Sequence, residues 1–142
     1  MADPRDAVAF DGIDATYETF LIDNSTITYS ATVANGSSKV GLAVALSTHK
    51  TIETAGDGEE VLGKLVKVEA DNKAVVQTDG YMTLPGGNGA TLTPGKKIVG
   101  ALNASSAEGY IREVATGTAA ELGVARGMII DAGTTTAVIV RL

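Results

Sequence analysis

An all-β fold, a small antiparallel β-barrel or β-sandwich preceded by an extended N-terminal arm, is what this 142-residue sequence predicts. Three observations carry the expectation. Short runs rich in Val, Ile, Thr and Tyr recur between turn residues at roughly 8–12-residue spacing, the punctuation of sandwiches and small barrels. No long stretch repeats its apolar residues at the 3.6-residue helical period. The chain carries 17 glycines and no tryptophan, so its core must be built from small and β-branched side chains, which suit thin β layers.

Taken in order, residues 1–25 differ from the rest. Asp3, Asp6, Asp11, Asp14, Glu18 and Asp23 interrupt large apolar groups there, and both phenylalanines, Phe10 and Phe20, fall in this stretch. This segment is read as an arm, with residues 26–142 as a single β domain. Ile13, Tyr17, Phe20 and Leu21 lie at helical spacing behind Asp11 as an N-cap, while Thr16 and Thr19 favour strand, so both conformations stay open. Strands are expected at Thr26 to Val33 and Val40 to Leu46, with Asn35-Gly36 as a hairpin turn between them. A short strand follows at Thr51 to Glu53. Val61 to Val68 and Ala74 to Gln77 flank Asp71-Asn72, a pair that tolerates the left-handed backbone of a tight turn.

Tyr81 to Leu84 forms a further strand, stopped by Pro85-Gly86-Gly87-Asn88-Gly89. Lys97 to Leu102, Tyr110 to Ala115, Glu121 to Ile130 and Ala137 to Leu142 complete nine or ten strands. Gly117, Gly123 and Gly127 weigh against a helical turn at Ala119 to Arg126. No internal repeat or dividing linker is evident.

Composition narrows the function. Without cysteine there is no disulfide framework, thiolate zinc site or cysteine nucleophile. A net charge of −6 opposes phosphate attraction, so direct nucleic-acid binding is not expected. The start lacks the order of a secretory signal, and the longest apolar run, Val40 to Leu46, is far short of the ~20 residues that span a bilayer. No membrane partner is expected.

Several motifs fail on their chemistry. Gly58 to Lys64 has phosphate-loop spacing, but Leu65 stands where a hydroxyl should reach magnesium. Gly87 and Gly89 begin a dinucleotide pattern whose third glycine is replaced by Leu92, and Pro94-Gly95 forbids the helix that would hold a pyrophosphate. His49, the sole histidine, cannot build a multi-histidine metal site, and no G-x-S-x-G elbow offers it a nucleophile. Asp57, Glu59 and Glu60 do not form a calcium loop. Glu121 with Asp131, or Glu59 with Glu60, lacks the aromatic platforms of a sugar cleft. The expectation is a non-enzyme with no cofactor and no metal.

Two segments together resemble the decoration, or cement, proteins of tailed-bacteriophage capsids: GDGEEVLGKLVKVEADNKAVVQTDGYMTLPGGNGATLTPGKKIVGAL and ELGVARGMIIDAGTTTAVIVRL. The shared pattern is an Asp-Gly-Glu turn into a Val-x-Gly strand, a hairpin, a Gly-Tyr-x-Thr-Leu-Pro edge, an LTPGKKIVGA strand and a closing Ala-Arg-Gly-x-Ile-Ile-Asp before a terminal Val/Ile strand. It spans about residues 56–142. The resemblance implies an all-β subunit made in the host cytoplasm. It would assemble as a homo-oligomer, a trimer before a dimer, on the outer surface of an expanded virion head. Its partner would be the major capsid protein, whose capsomer contacts it would stabilise. The arm would then supply the contact through Val8, Phe10, Ile13, Tyr17, Phe20, Leu21 and Ile22, adding a strand to a sheet edge or laying an apolar face into a groove. The alternative from another class is a small β module binding carbohydrate or a host surface.

Overall fold

A computed structural model of the chain describes residues 12–115, 118–133 and 136–142. Among the described residues it is nearly all β, as expected, with ten strands and one short α-helix in the order β1 (Thr16–Ile22), β2 (Ala43–Thr48), β3 (Thr51–Thr54), β4 (Gly63–Val68), β5 (Lys73–Asp79), β6 (Tyr81–Leu84), β7 (Ile98–Ala101), β8 (Tyr110–Glu113), α1 (Ala119–Val124), β9 (Met128–Asp131) and β10 (Val138–Arg141). The first five strands close a barrel in the order β1-β3-β2-β4-β5. Between barrel and sandwich, the alternatives the sequence leaves open, the N-terminal half is a barrel.

That barrel is closed unevenly. β5 sits between two long antiparallel ladders, to β1 from Thr16↔Asp79 to Leu21↔Lys73, and to β4 from Lys64↔Gln77 to Val68↔Ala74. β2 and β3 share a third ladder, from Val44↔Thr54 to Thr48↔Thr51, and the remaining two seams are narrow. β1 meets β3 in parallel only at Leu21↔Thr51 and Ile22↔Ile52, and β2 meets β4 only at Ala43↔Lys64 and Val44↔Gly63. Asn72, at φ 62, turns the β4–β5 hairpin in the left-handed region, as the Asp71-Asn72 pair predicts.

The C-terminal strands form a three-stranded sheet, β6-β10-β9, and a two-stranded one, β7-β8. Single bridges, Ile98↔Arg126 and Gly86↔Ile111, link the small sheets at both sides. Hydrogen bonding thus runs in a ring through β6, β10, β9, β7 and β8.

Two apolar cores follow from strand alternation. Ile22, Ile27, Val44, Ile52, Leu65, Val68, Ala74 and Val76 fill the barrel. A second core joins Met82, Leu84, Ile98, Ile111, Ile129, Val138 and Val140 of the C-terminal strands to Ala43, Ala45, Ala55 and Val61 of the first half. β2 serves both, because successive side chains point to opposite faces: Val44 enters one core, Ala43 and Ala45 the other. The two halves therefore pack as one body. Their backbones approach closely where Gly100 passes Gly56: a Cβ on Gly100 would lie 2.0 Å from the Gly56 carbonyl oxygen.

Three expectations are corrected. Thr16–Ile22, assigned to the arm, is a barrel strand; Phe20 packs on the barrel core and Ile22 is buried in it. Strand also replaces the helical alternative there. The rest of the arm that precedes Gly12 lies outside the described residues.

Residues 26–33 are not a strand, and Asn35-Gly36 is not a hairpin turn. The Asp23 carboxylate accepts the backbone N–H groups of Ser25, Thr26 and Ile27 and the hydroxyls of Ser25 and Thr26. Those bonds curl the chain and take the donors that a ladder needs. Ala34–Gly36 then forms a 3-10 turn with Asn35 at φ 58.

The strand expected from Glu121 to Ile130 is instead α1 followed by β9. Ala119, Ala120, Glu121 and Leu122 are strong helix formers. The Leu122 N–H bonds to Thr118 O, and the Ala125 N–H to Glu121 O. Gly127, at φ 67, re-enters the sheet.

Candidate interaction surfaces

The residues singled out for partner contact divide by the alternation of β1. Ile13, Tyr17 and Leu21 are 46%, 55% and 44% exposed, whereas Ile22 is buried and Phe20 half-buried. Val8 and Phe10 lie outside the described residues. Tyr17 and Leu21, an even number of positions apart, share the outward face of β1.

The edge of β1 matters as much as its face. β5 pairs with it along its length, but β3 reaches it only at Leu21 and Ile22. Thr16–Phe20 therefore has one neighbouring strand and, among the described residues, an open backbone edge on the other side. Just before it, Gly12 N–H donates to Tyr81 O at 2.9 Å and Tyr81 N–H donates to Ile13 O at 2.9 Å. These bonds fasten the start of β1 to β6. An anchored, open edge with outward apolar side chains is a geometry that accepts another strand.

A second surface was not legible in the sequence. Beyond Val44, β2 has lost its β4 neighbour, since β4 begins at Gly63. Leu46, 56% exposed, lines a groove of about 500 Å³ together with Leu62, Ala120, Val124, Glu59 and Glu60. α1 forms one wall and buries none of its own side chains. Its attachment is ionic. Arg112 makes a two-pronged contact with the Glu121 carboxylate, Nη1 to Oε2 at 3.0 Å, and a third bond through Nε to Asp57 at 3.0 Å. The Ala115 N–H also donates to Glu121. The Arg112 hydrogen bonds, with that amide, hold Glu121 at a pKa of about 2, and the Glu121 bond raises Arg112 further above its already high value. No sequence spacing pairs Arg112 with Glu121, because the turn that brings them together is formed by α1 itself.

Arg126 is held in place as well. Its guanidinium donates to the carbonyls of Val61, Leu62 and Thr78 at 3.3, 3.1 and 3.3 Å, and lies 3.7 Å from Asp79. It ties the end of α1 to the barrel.

The residues weighed for chemistry are dispersed. His49 is exposed in the β2–β3 turn beside Lys50 at φ 57. The phosphate-loop-like stretch runs from a turn into β4 and opens no helix; Glu59 spends a carboxylate oxygen on the Gly56 N–H at 2.9 Å. Gly86 and Gly87 bond alongside β8. Glu53 is pushed up by burial and by the nearby charge of Glu59, with smaller contributions from Asp23 and Glu108. Among the described residues no group of acidic or histidine side chains gathers to hold a metal, and no helix is long and apolar enough to cross a membrane.

No protein-family model matches the chain, and no curated protein matches it.

Proposed function

We propose that this protein is a structural capsid decoration protein. On this reading it binds the outer surface of an expanded phage head, bridges neighbouring capsomers of the major capsid protein and assembles as a homo-oligomer, foremost a trimer. The observation that carries the reading is the open edge of β1, with Tyr17 and Leu21 facing outward and Ile13 at its foot. The resemblance over residues 56–142 and the all-β fold support it from a different direction. Its work is mechanical: binding only the expanded shell adds its binding free energy to that state alone.

The test is co-sedimentation of the full chain with expanded and with unexpanded heads, alongside its mass by analytical ultracentrifugation. Binding to expanded heads alone, by a self-associated species, is the expected result. A monomer that ignores both particles would refute it. Tyr17→Ser combined with Leu21→Ser, both on the exposed face, should weaken head binding with little change in melting temperature.

A further inference from the structure

The groove beside β2 has three properties that together specify an occupant. The first is a backbone template. Leu62 N–H donates to Val44 O at 2.8 Å on the β4 side of β2. Hydrogen bonding along an antiparallel strand alternates sides with a two-residue period, so the N–H and C=O of Leu46 turn to that same side. There β4 is absent. Among the described residues, Ala45–Thr48 takes backbone partners from β3 only.

The second property is an apolar lining, from Leu46, Leu62, Ala120 and Val124. The third is the sign of the rim. Glu59 and Glu60 line the groove, and the third lining carboxylate, Glu121, is already paired with Arg112. Like charges gathered at a solvent-open groove favour a cationic ligand and oppose an anionic one.

We propose that this groove docks an extended segment of a partner protein that carries Lys or Arg alternating with apolar residues. The segment adds as a strand to the edge at Leu46, sets its apolar side chains against Leu62 and Val124, and meets Glu59 and Glu60 with its cations. The chain's own N-terminal stretch is a poor occupant, since Asp3, Asp6 and Asp11 outnumber Arg5. A second copy brings a net charge of −6 to an acidic rim. The groove is separate from the β1 edge and does not depend on the reading built on it.

The experiment screens the full-length protein against a positional-scanning library of six-residue peptides and maps the best binder by amide chemical shifts. Enrichment of Lys or Arg at alternate positions is expected, with shifts concentrated at residues 45–48, 58–62 and 119–124. Glu60→Lys and Leu46→Lys, both on exposed side chains, should each weaken binding about tenfold or more while leaving the melting temperature unchanged. Raising the salt should weaken it too. Preference for acidic peptides, absence of any preference, or shifts centred elsewhere would overturn the proposal. So would self-association that Leu46→Lys abolishes, because a second copy would then be the occupant.

Discussion

The barrel of residues 16–79 and the ring of strands that follows it enclose cores of similar make-up by opposite means. The barrel relies on two broad ladders flanking β5 and leaves two seams barely stitched, so β1 and β2 each run past their neighbours and end in open edges. The C-terminal strands are shorter, yet their ring closes through single bridges at Ile98↔Arg126 and Gly86↔Ile111. The 95–96 turn takes up the far side of β9, where Gly95 N–H reaches Ile129 O and Ile129 N–H reaches Lys96 O. Among the described residues β1 and β2 of the barrel thus keep open edges, and that is where an added strand can bind. The C-terminal half contributes burial and clamps.

The largest test of this contrast is truncation. Removing residues 1–22 takes away β1, exposes the barrel core at Ile52 and Val76 and leaves β5 with one neighbour. Loss of cooperative melting is expected. Removing only residues 1–11 leaves β1 and its bonds to Tyr81, and cooperative melting should persist. A stable, cooperative 23–142 fragment would show that the barrel does not need β1.

Next comes the junction of the halves. Gly100→Ala places a methyl against the Gly56 carbonyl oxygen, a backbone atom that cannot rotate away. A destabilisation of about 3 kcal/mol is expected from such overpacking, read from urea denaturation. Arg126→Met, which keeps much of the side-chain bulk, leaves carbonyls of Val61, Leu62 and Thr78 without their donor. Because Val61 is wholly buried, about 2–3 kcal/mol should be lost. The hydrogen-exchange signature should fall at residues 61–63 and 78–79, on the barrel side of the clamp.

Legibility followed locality. The β4–β5 hairpin, β6, β7, β8 and β10 were readable because each needs only alternation and a turn residue within a few positions, such as Asn72 at φ 62. What escaped depended on distant partners. β1 is a strand because β5, more than fifty residues later, pairs with it; its own residues fit a helical stripe equally well. Residues 26–33 have strand composition, yet one carboxylate at Asp23 takes the backbone donors of the first two, Thr26 and Ile27. α1 was obscured by Gly123, whose cost Arg112 offsets by anchoring Glu121. Of the surfaces, the apolar residues of β1 were visible and its open edge was not. The β2 groove was hidden because Leu46, Leu62 and Val124 meet only in space.

Acid should separate the two halves most finely, since each contains a carboxylate with a lowered pKa. For Asp23, partial burial acts upward but is outweighed by the bonds from Ile27, Thr26 and Ser25, leaving it at about 2 against an ordinary 3.8; Glu121 stands at about 2 against 4.5. Both are held charged more firmly in the folded chain than in the unfolded one. Their contribution is therefore present in full above the ordinary values and is lost as pH falls from about 4.5 towards 2. With allowance for solvent screening, about 1–2 kcal/mol is expected from each. Glu53 has the opposite sign: its raised pKa means that the charged form is disfavoured in the fold, so stability should rise slightly as pH drops from neutral through that value. Urea midpoints should consequently show a shallow gain below neutrality and then a fall below about pH 4.5. Asp23→Asn should flatten part of that fall and speed amide exchange at residues 23–28, while Glu121→Gln should do so at 112–125. If either substitution loosens the opposite half as much as its own, the two cores are one cooperative unit despite their different closures.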